Sequence, residues 1–456
     1  MLCRGNFAAA DREGEMNMEQ EKIRQTEELL SFIRKSPTAF HAVESVGEFL
    51  SEQGFQRLEE SDRWHLTVGK GYFVTRNQSS VIAFRVPKKA ERVLIAASHT
   101  DSPMFKLKKN CEVALPGKYL KLDTEGYGGT ILSTWMDRPL SVAGRVILRR
   151  DGTFTAKTVC VDRDLVLIPS VAIHMNRQVN EGYRYNPAVD LVPLFGGSDA
   201  KEGALKAILA EQIGCDPAEI VGSDLYVYNR MPGSIWGAER EFFSAPRIDN
   251  LMCLRGTLAG FCEANENDSS LTVLFSADNE ETGSATRQGA GSEFLRNTLE
   301  RVCEALGEDL RCLLASSYMV SADNGHAVHP NHPELCDPAN APLINGGVVI
   351  KSNASQLYAT DGVSEAVFSA ICSDAGVPVQ YFSNRSDMRG GSTLGSISDT
   401  KVPLATVDIG MAQLAMHSSY ETAGTADVAH LSAAIKRFYE SRISCPRDGE
   451  LRLCHI

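Results

Sequence analysis

Two adjacent carboxylates stand in Asn279-Glu280-Glu281-Thr282-Gly283, just beyond the apolar run Leu271 to Phe275. Adjacent glutamates can divide labour there: one binds a metal, and the other takes a proton from water. The plainer alternative is a solvated acidic turn. Four further residues of ligand type recur nearby in the pattern. His99 closely follows the apolar run Arg92 to Ala97, and Asp323 follows a strand expected over 311–320. His417 comes after the run Val402 to Ile409 and a short loop, and Asp249 heads an amphipathic helix carrying Leu251, Leu254, Leu258 and Phe261. Two imidazoles and three carboxylates suit zinc or a similar divalent ion. Five ligands are more than one four-coordinate catalytic site needs, since such a site keeps a position for water. Two ions bridged by one carboxylate would use all five.

Asp101 lies two residues beyond His99 and points the same way along an extended chain, so it can hold the other ring nitrogen of His99. Glu280 is then free to be the general base. Each residue has a duller alternative. A histidine after a strand is commonly just hydrogen-bonded, Asp249 suits a helix N-terminus, and Asp323 before Asn324-Gly325 suits a turn. The same placement on several strands favours the joint reading.

The elements that must position these residues read as an α/β sheet. Buried strands of such sheets are short, nearly continuous apolar runs, and their ligand sites gather at the carboxyl ends. Helices are expected over 19–34 and around Phe40 to Leu50, then strands over 72–75, 80–86 and 92–97. From about Phe105 to Glu239 short alternating runs separated by glycines and charges indicate a β-rich unit, with one helix over 203–212. Helix and strand alternation resumes near Ala245, with helices expected over 292–306, 362–375 and 426–440. The simplest organisation is a flexible tail over 1–18, a catalytic domain in two parts (19–104 and 241–456), and a β-rich insertion over 105–240.

Composition narrows the function. The chain has 456 residues, is 43% hydrophobic and carries a net charge of −12. That is ordinary for a globular protein with a large core, and the acidic balance argues against nucleic-acid and anionic-membrane partners. Twelve cysteines without a CxxC pair or a disulfide-like cadence indicate reduced thiols and a cytoplasmic setting. No apolar run is long enough to span a membrane, and Met1 to Glu15 lacks the apolar core of a signal peptide.

As a set, His99-Thr100-Asp101, Arg247-Ile248-Asp249-Asn250, Asn279 to Gly283, Ser321-Ala322-Asp323 with His326 to Pro330, and Gln413 to Ser418 resemble the aspartyl aminopeptidases. These are the M18 family of co-catalytic zinc exopeptidases. The likeness runs in order over nearly the whole chain after about Ile23 and includes Gly128-Gly129 and Ser133-Thr134-Trp135. It implies a zinc-exopeptidase-like mixed sheet flanked by helices, with the insertion serving oligomerisation. It further implies two zinc ions, with cobalt or manganese as substitutes. Asp249 would bridge them, His99 and Asp323 would complete one site, and Glu281 and His417 the other. Glu280 would be the general base and Asp101 the orienter of His99.

The resemblance also implies removal of N-terminal Asp or Glu from peptides, with Lys351 meeting the acidic side chain. His174 would reach a neighbouring subunit's active site in a homododecamer built from dimers. Some members carry Pro-Cys at the start of the Gly-rich loop. Here Asp387-Met388 leads into Arg389-Gly390-Gly391, so Arg389 places a positive charge by a substrate loop. His326, with His329 and His332, is expected to order this region or face substrate. The alternatives are a same-fold aminopeptidase with a neutral or basic N-terminal preference, or a catalytically idle self-assembling shell.

Overall fold

The computed structural model describes residues 5–388 and 390–455, with side chains from Gln20 onward. Its frame is a nine-stranded mixed sheet. The centre of that sheet explains the site. The strands Ser270–Ala277, Arg92–His99, Tyr318–Ala322 and Ala405–Gly410 lie side by side and run parallel. Their carboxyl ends therefore open on one edge, with Ala277 in register with His99. Toward one side the sheet continues through Ser80–Arg85, antiparallel to Ser270–Ala277, then Gly71–Arg76 and Gln56–Leu58. Toward the other it continues through Val348–Lys351 and Val379–Phe382.

Both faces of the central strands are covered, as near-continuous apolar runs require. Every residue of Arg92–His99 and of Ser270–Ala277 is buried. Because successive side chains point to opposite faces, Leu94, Ala96 and Leu274 pack with helices Ile248–Glu263 and Thr425–Tyr439. Val93, Ile95, Ala97, Val273 and Phe275 pack with helix Phe294–Leu306 on the other side. Tyr439 ties helix to sheet: its hydroxyl donates to the Val273 carbonyl at 2.7 Å and accepts the Ala96 N–H at 3.1 Å.

Between Met104 and Asn229 the chain leaves this sheet and builds a six-stranded one with its own core, including Phe105, Trp135, Leu140 and Val227. A five-stranded sheet is built from strands of the second half of the chain. It holds Ser234–Trp236, Phe242–Ala245, Glu421–Gly424, Ala412–Leu414 and Gly325–His326. Two expectations need correction. The segment 311–320 is not one strand: Asp309 caps a helix, Leu310–Leu314, by accepting the Arg311 N–H at 2.9 Å, and the strand starts only at Tyr318. Leu165 to Ile168, expected as one of the short alternating strands of the β-rich unit, makes isolated bridges to Leu140 and Leu194 rather than a strand. The first helix spans Gly5–Lys35, and the chain closes with a hairpin, Ser441–Arg447 and Glu450–His455.

Candidate metal centre at the carboxyl edge of the sheet

Five elements deliver the ligand-type residues to one place. His99 ends its strand, and Glu280 and Glu281 form a single turn just past Ala277. Asp323 follows Ala322 directly, held by its N–H on the Ile409 carbonyl at 2.9 Å. Gly410 makes that approach possible, because a Cβ there would lie 1.9 Å from the Asp323 carbonyl oxygen. Asp249 sits at the head of helix Ile248–Glu263 with non-helical backbone angles. Just before it, the buried Arg247 guanidinium donates to the Ile33 and Ser36 carbonyls at 3.1 Å each, satisfying acceptors at the end of the first helix. His417 lies in the loop between Ala412–Leu414 and Glu421–Gly424, with φ +66°.

The side chains converge in three overlapping groups: two share Asp249, and in the third Glu280 joins His99 and Glu281. In one of the two that share Asp249, His99 Nε2 lies 3.5 Å from Asp249 Oδ1 and 3.5 Å from Asp323 Oδ1. In the other, His417 Nε2 lies 3.5 Å from Asp249 Oδ2 and 3.4 Å from Glu281 Oε2. These separations exceed ordinary hydrogen bonds. They match the edge of a zinc tetrahedron, roughly 3.3 Å for ligands about 2.0–2.1 Å from the ion. Asp249 Oδ1 is buried without a hydrogen-bond partner, which is costly for a carboxylate unless a cation answers it. The donor set fits two divalent ions bridged by one carboxylate.

Asp101 organises the opposite side of the cluster. His99 Nδ1 is 3.1 Å from the Asp101 carbonyl oxygen and 3.3 Å from its Oδ1. Two acceptors at Nδ1 hold a proton there, so Nε2 is the nitrogen that a cation would engage in place of its own proton. The same carboxylate accepts the N–H groups of Glu280 and Glu281, each at 3.2 Å. It therefore fixes the turn that carries both glutamates.

Crowding of carboxylates sets the protonation pattern of the metal-free site. Burial pushes Glu280 up to about 8, with the charges of Asp323, Asp101 and Asp249 adding to it and His99 opposing. Burial and the neighbouring Asp249 charge also raise Glu281 well above the carboxylate range. Burial opposes charge on His99, but Asp101, Asp249 and Asp323 outweigh it and raise the imidazole. Like charges this close keep protons unless cations replace them.

Glu421 had no role in the sequence reading. It is buried, and its carboxylate accepts the Asp249 N–H at 3.0 Å and the His417 N–H at 2.8 Å. Its place four positions after His417, at the start of a strand, does not by itself mark it. Lys351 ends its strand behind Asp323, with only 2% of its side chain exposed. Its ammonium donates to the carbonyls of Asp323 at 2.7 Å and Asn324 at 3.3 Å. His326 is exposed, its ring 6.2 Å from that of Phe382. His174 lies between exposed Ile173 and Met175; among the described residues no contact joins it to the ligand cluster. Arg389 lies outside the described residues. His329 and His332 stack on each other at 5.3 Å and belong to none of the ligand groups among the described residues.

A family model described as "Aminopeptidase I zinc metalloprotease (M18)" matches residues 32–439. The chain belongs to the M18 aminopeptidase family. A Clostridium novyi (strain NT) protein named "Probable M18 family aminopeptidase 2" is 45% identical over 430 residues, covering 92% of this chain and 99% of that protein. The M18 fold is shared with solved structures. Ape4, in its complex with Nbr1, superposes with a TM-score of 0.89 at 34% identity, covering 92% of this chain and 86% of Ape4. The S. cerevisiae mApe1 dodecamer gives 0.81 at 26% identity, covering 93% of this chain and 97% of the other. The nine-stranded sheet, the ligand cluster at its edge and the 104–229 unit all belong to an M18 hydrolase. No described helix is long and apolar enough to cross a membrane.

Proposed function

We propose that this M18 aminopeptidase removes N-terminal aspartate or glutamate from peptides and holds two zinc ions, with cobalt or manganese able to substitute. One observation carries the reading: two ligand groups share Asp249 at metal-ligand spacing, and Glu280, which groups with His99 and Glu281, lies beside them and is assigned the proton transfer rather than a ligand role. Asp249 would be shared between the two ions; His99 and Asp323 would help hold one, and Glu281 and His417 the other. When bound, such ions polarise a carbonyl oxygen and lower the pKa of water to roughly 7.

The remaining chemistry belongs to the chain's own groups. Glu280 takes the proton from the attacking water and returns it to the leaving amine, a role worth about 10²- to 10⁴-fold in rate. Asp101 keeps His99 in the tautomer that presents Nε2. Lys351 supplies the positive charge that favours an acidic first residue, and Arg389 adds charge at the Gly-rich loop. His326 faces the substrate side. The buried ammonium of Lys351, already engaged by two carbonyls, favours a second reading with the same chemistry and a neutral N-terminal preference.

The likeness to the mApe1 dodecamer supports a homododecamer built from dimers. In it, the exposed Ile173-His174-Met175 stretch would carry His174 to a neighbouring subunit; a single-subunit mass by light scattering would contradict this. Free cysteines, eleven of them among the described residues, fit a reducing cytoplasm. Stripping metal with a chelator should abolish release from an aspartyl-anilide, and adding zinc back should restore it. Activity that survives complete removal of metal would overturn the proposal.

A further inference from the structure

The 104–229 unit reaches the ligand cluster through one short segment. Tyr127 ends the strand Tyr119–Tyr127 of the six-stranded sheet. Its ring stands edge-on to Tyr226 of the same sheet, centroids 5.6 Å apart at 80°, so the phenol is aimed by its own unit. The hydroxyl leaves that unit and donates to Asp101 Oδ2 at 2.6 Å. It also accepts from Asn279 Nδ2 at 2.8 Å. Asn279 is pinned from its other end, since its Oδ1 accepts from Thr286 Oγ1 at 2.8 Å and Gln288 Nε2 at 2.7 Å.

Tyr127 thus closes a ring of hydrogen bonds. Asp101 faces His99 Nδ1 and accepts the N–H groups of both glutamates, while Asn279 begins the turn that carries them. The residues after Tyr127 touch the other half of the site. Gly128, with φ +70°, leaves room for Glu281, whose Cβ would be 3.0 Å from a Cβ on that residue. The Ile131 N–H donates to the His417 carbonyl at 3.0 Å. One segment of the second unit therefore braces both ligand groups.

We propose that Tyr127 is a positioning residue of the metal centre, through which the 104–229 unit sets the orientation of His99 and of the Glu280-Glu281 turn. This rests on the metal reading above. It gives the unit a part in the chemistry of its own chain. A short hydrogen bond from a neutral donor to a buried carboxylate is the kind of outer contact that fixes a ligand's orientation and basicity.

The test is Tyr127→Phe in the full chain, which removes one oxygen and keeps the ring. Tyr228→Phe is the control. Its hydroxyl is also buried, but it donates to the Val161 carbonyl at 3.2 Å within the second unit. Zinc affinity is read by competition with a chromophoric chelator, independently of turnover. Tyr127→Phe is expected to bind zinc about 10- to 100-fold more weakly, and Tyr228→Phe to match the unsubstituted chain. Unchanged affinity in Tyr127→Phe, or equal losses in the two variants, would overturn the role of Tyr127. Failure of the unsubstituted chain to bind zinc would overturn the metal reading itself.

Discussion

The buried ammonium of Lys351 donates to the Asp323 carbonyl at 2.7 Å and lies 3.7 Å from Oδ2 of the same residue. Burial opposes that charge, but Asp323, Tyr358, Asp408 and Cys253 together outweigh it and raise the lysine above its ordinary value. Lys351 can therefore do two things: hold a metal ligand in place, or read an acidic substrate. Lys351→Met separates them. If Lys351 reads the acid, cleavage of aspartyl-anilide should fall by roughly 10- to 100-fold more than that of alanyl-anilide, the worth of one charge-assisted hydrogen bond. Equal losses on both, together with loss of zinc, would assign it to anchoring Asp323 alone.

Glu421 gives a second prediction. It accepts N–H groups from two residues of one candidate ligand group, Asp249 and His417. His417 also holds a left-handed backbone conformation, with φ +66°, which costs a non-glycine residue free energy unless its surroundings enforce it. Glu421→Gln keeps the volume but turns a donor toward one of those N–H groups. Zinc affinity should weaken by about 10- to 100-fold with the far-ultraviolet spectrum unchanged. Native zinc affinity in this variant would show that the backbone bonds are dispensable.

Stability of the metal-free protein should fall as pH rises from about 7 to about 8. Burial pushes both Glu280 and Glu421 up to about 8, and His99 and His417 are raised by their carboxylate neighbours. Each binds its proton more tightly folded than unfolded, so its contribution is present at low pH and lost as pH rises through the folded value. His41, pulled down to about 4 by burial, and His326, also lowered, act in the opposite sense. Their effect is complete once pH passes the unfolded histidine value, about 6.5. Differential scanning calorimetry of chelator-treated protein should give a lower Tm at pH 8 than at pH 7, and zinc should flatten the difference. A metal-free Tm that climbs across this interval would contradict the carboxylate crowding.

The sheet and the convergence of its ligand-type residues were legible because each rests on local pattern. Leu271 to Phe275 and Arg92 to Ala97 are apolar runs of strand length, and a parallel arrangement of such runs fixes where His99, Glu281 and Asp323 emerge. His417 was legible through its motif, although its loop grows from a separate small sheet that no periodicity announced. The stretch 311–320 misled because its apolar residues suit a short helix as well as a strand, and the capping of Asp309 decides between them. Glu421 and Tyr127 were invisible for another reason. Their importance lies in backbone N–H groups and a carboxylate brought together across the chain, and nothing in the spacing of side chains reports such contacts. Lys351 was placed near the site but not beneath Asp323, because burial of a lysine runs against its usual exposure.

Two neighbouring glutamates differ in place: Glu281 lies 3.4 Å from His417 Nε2 in a candidate ligand group, and Glu280 is raised to about 8 beside it, as the proposed division of tasks requires. Glu280→Gln, measured for zinc content and for turnover on the same sample, tests that division most directly. Zinc content should equal that of the unsubstituted protein, and turnover on aspartyl-anilide should be lower by about 10²- to 10⁴-fold. Near-normal turnover at full zinc content would contradict it.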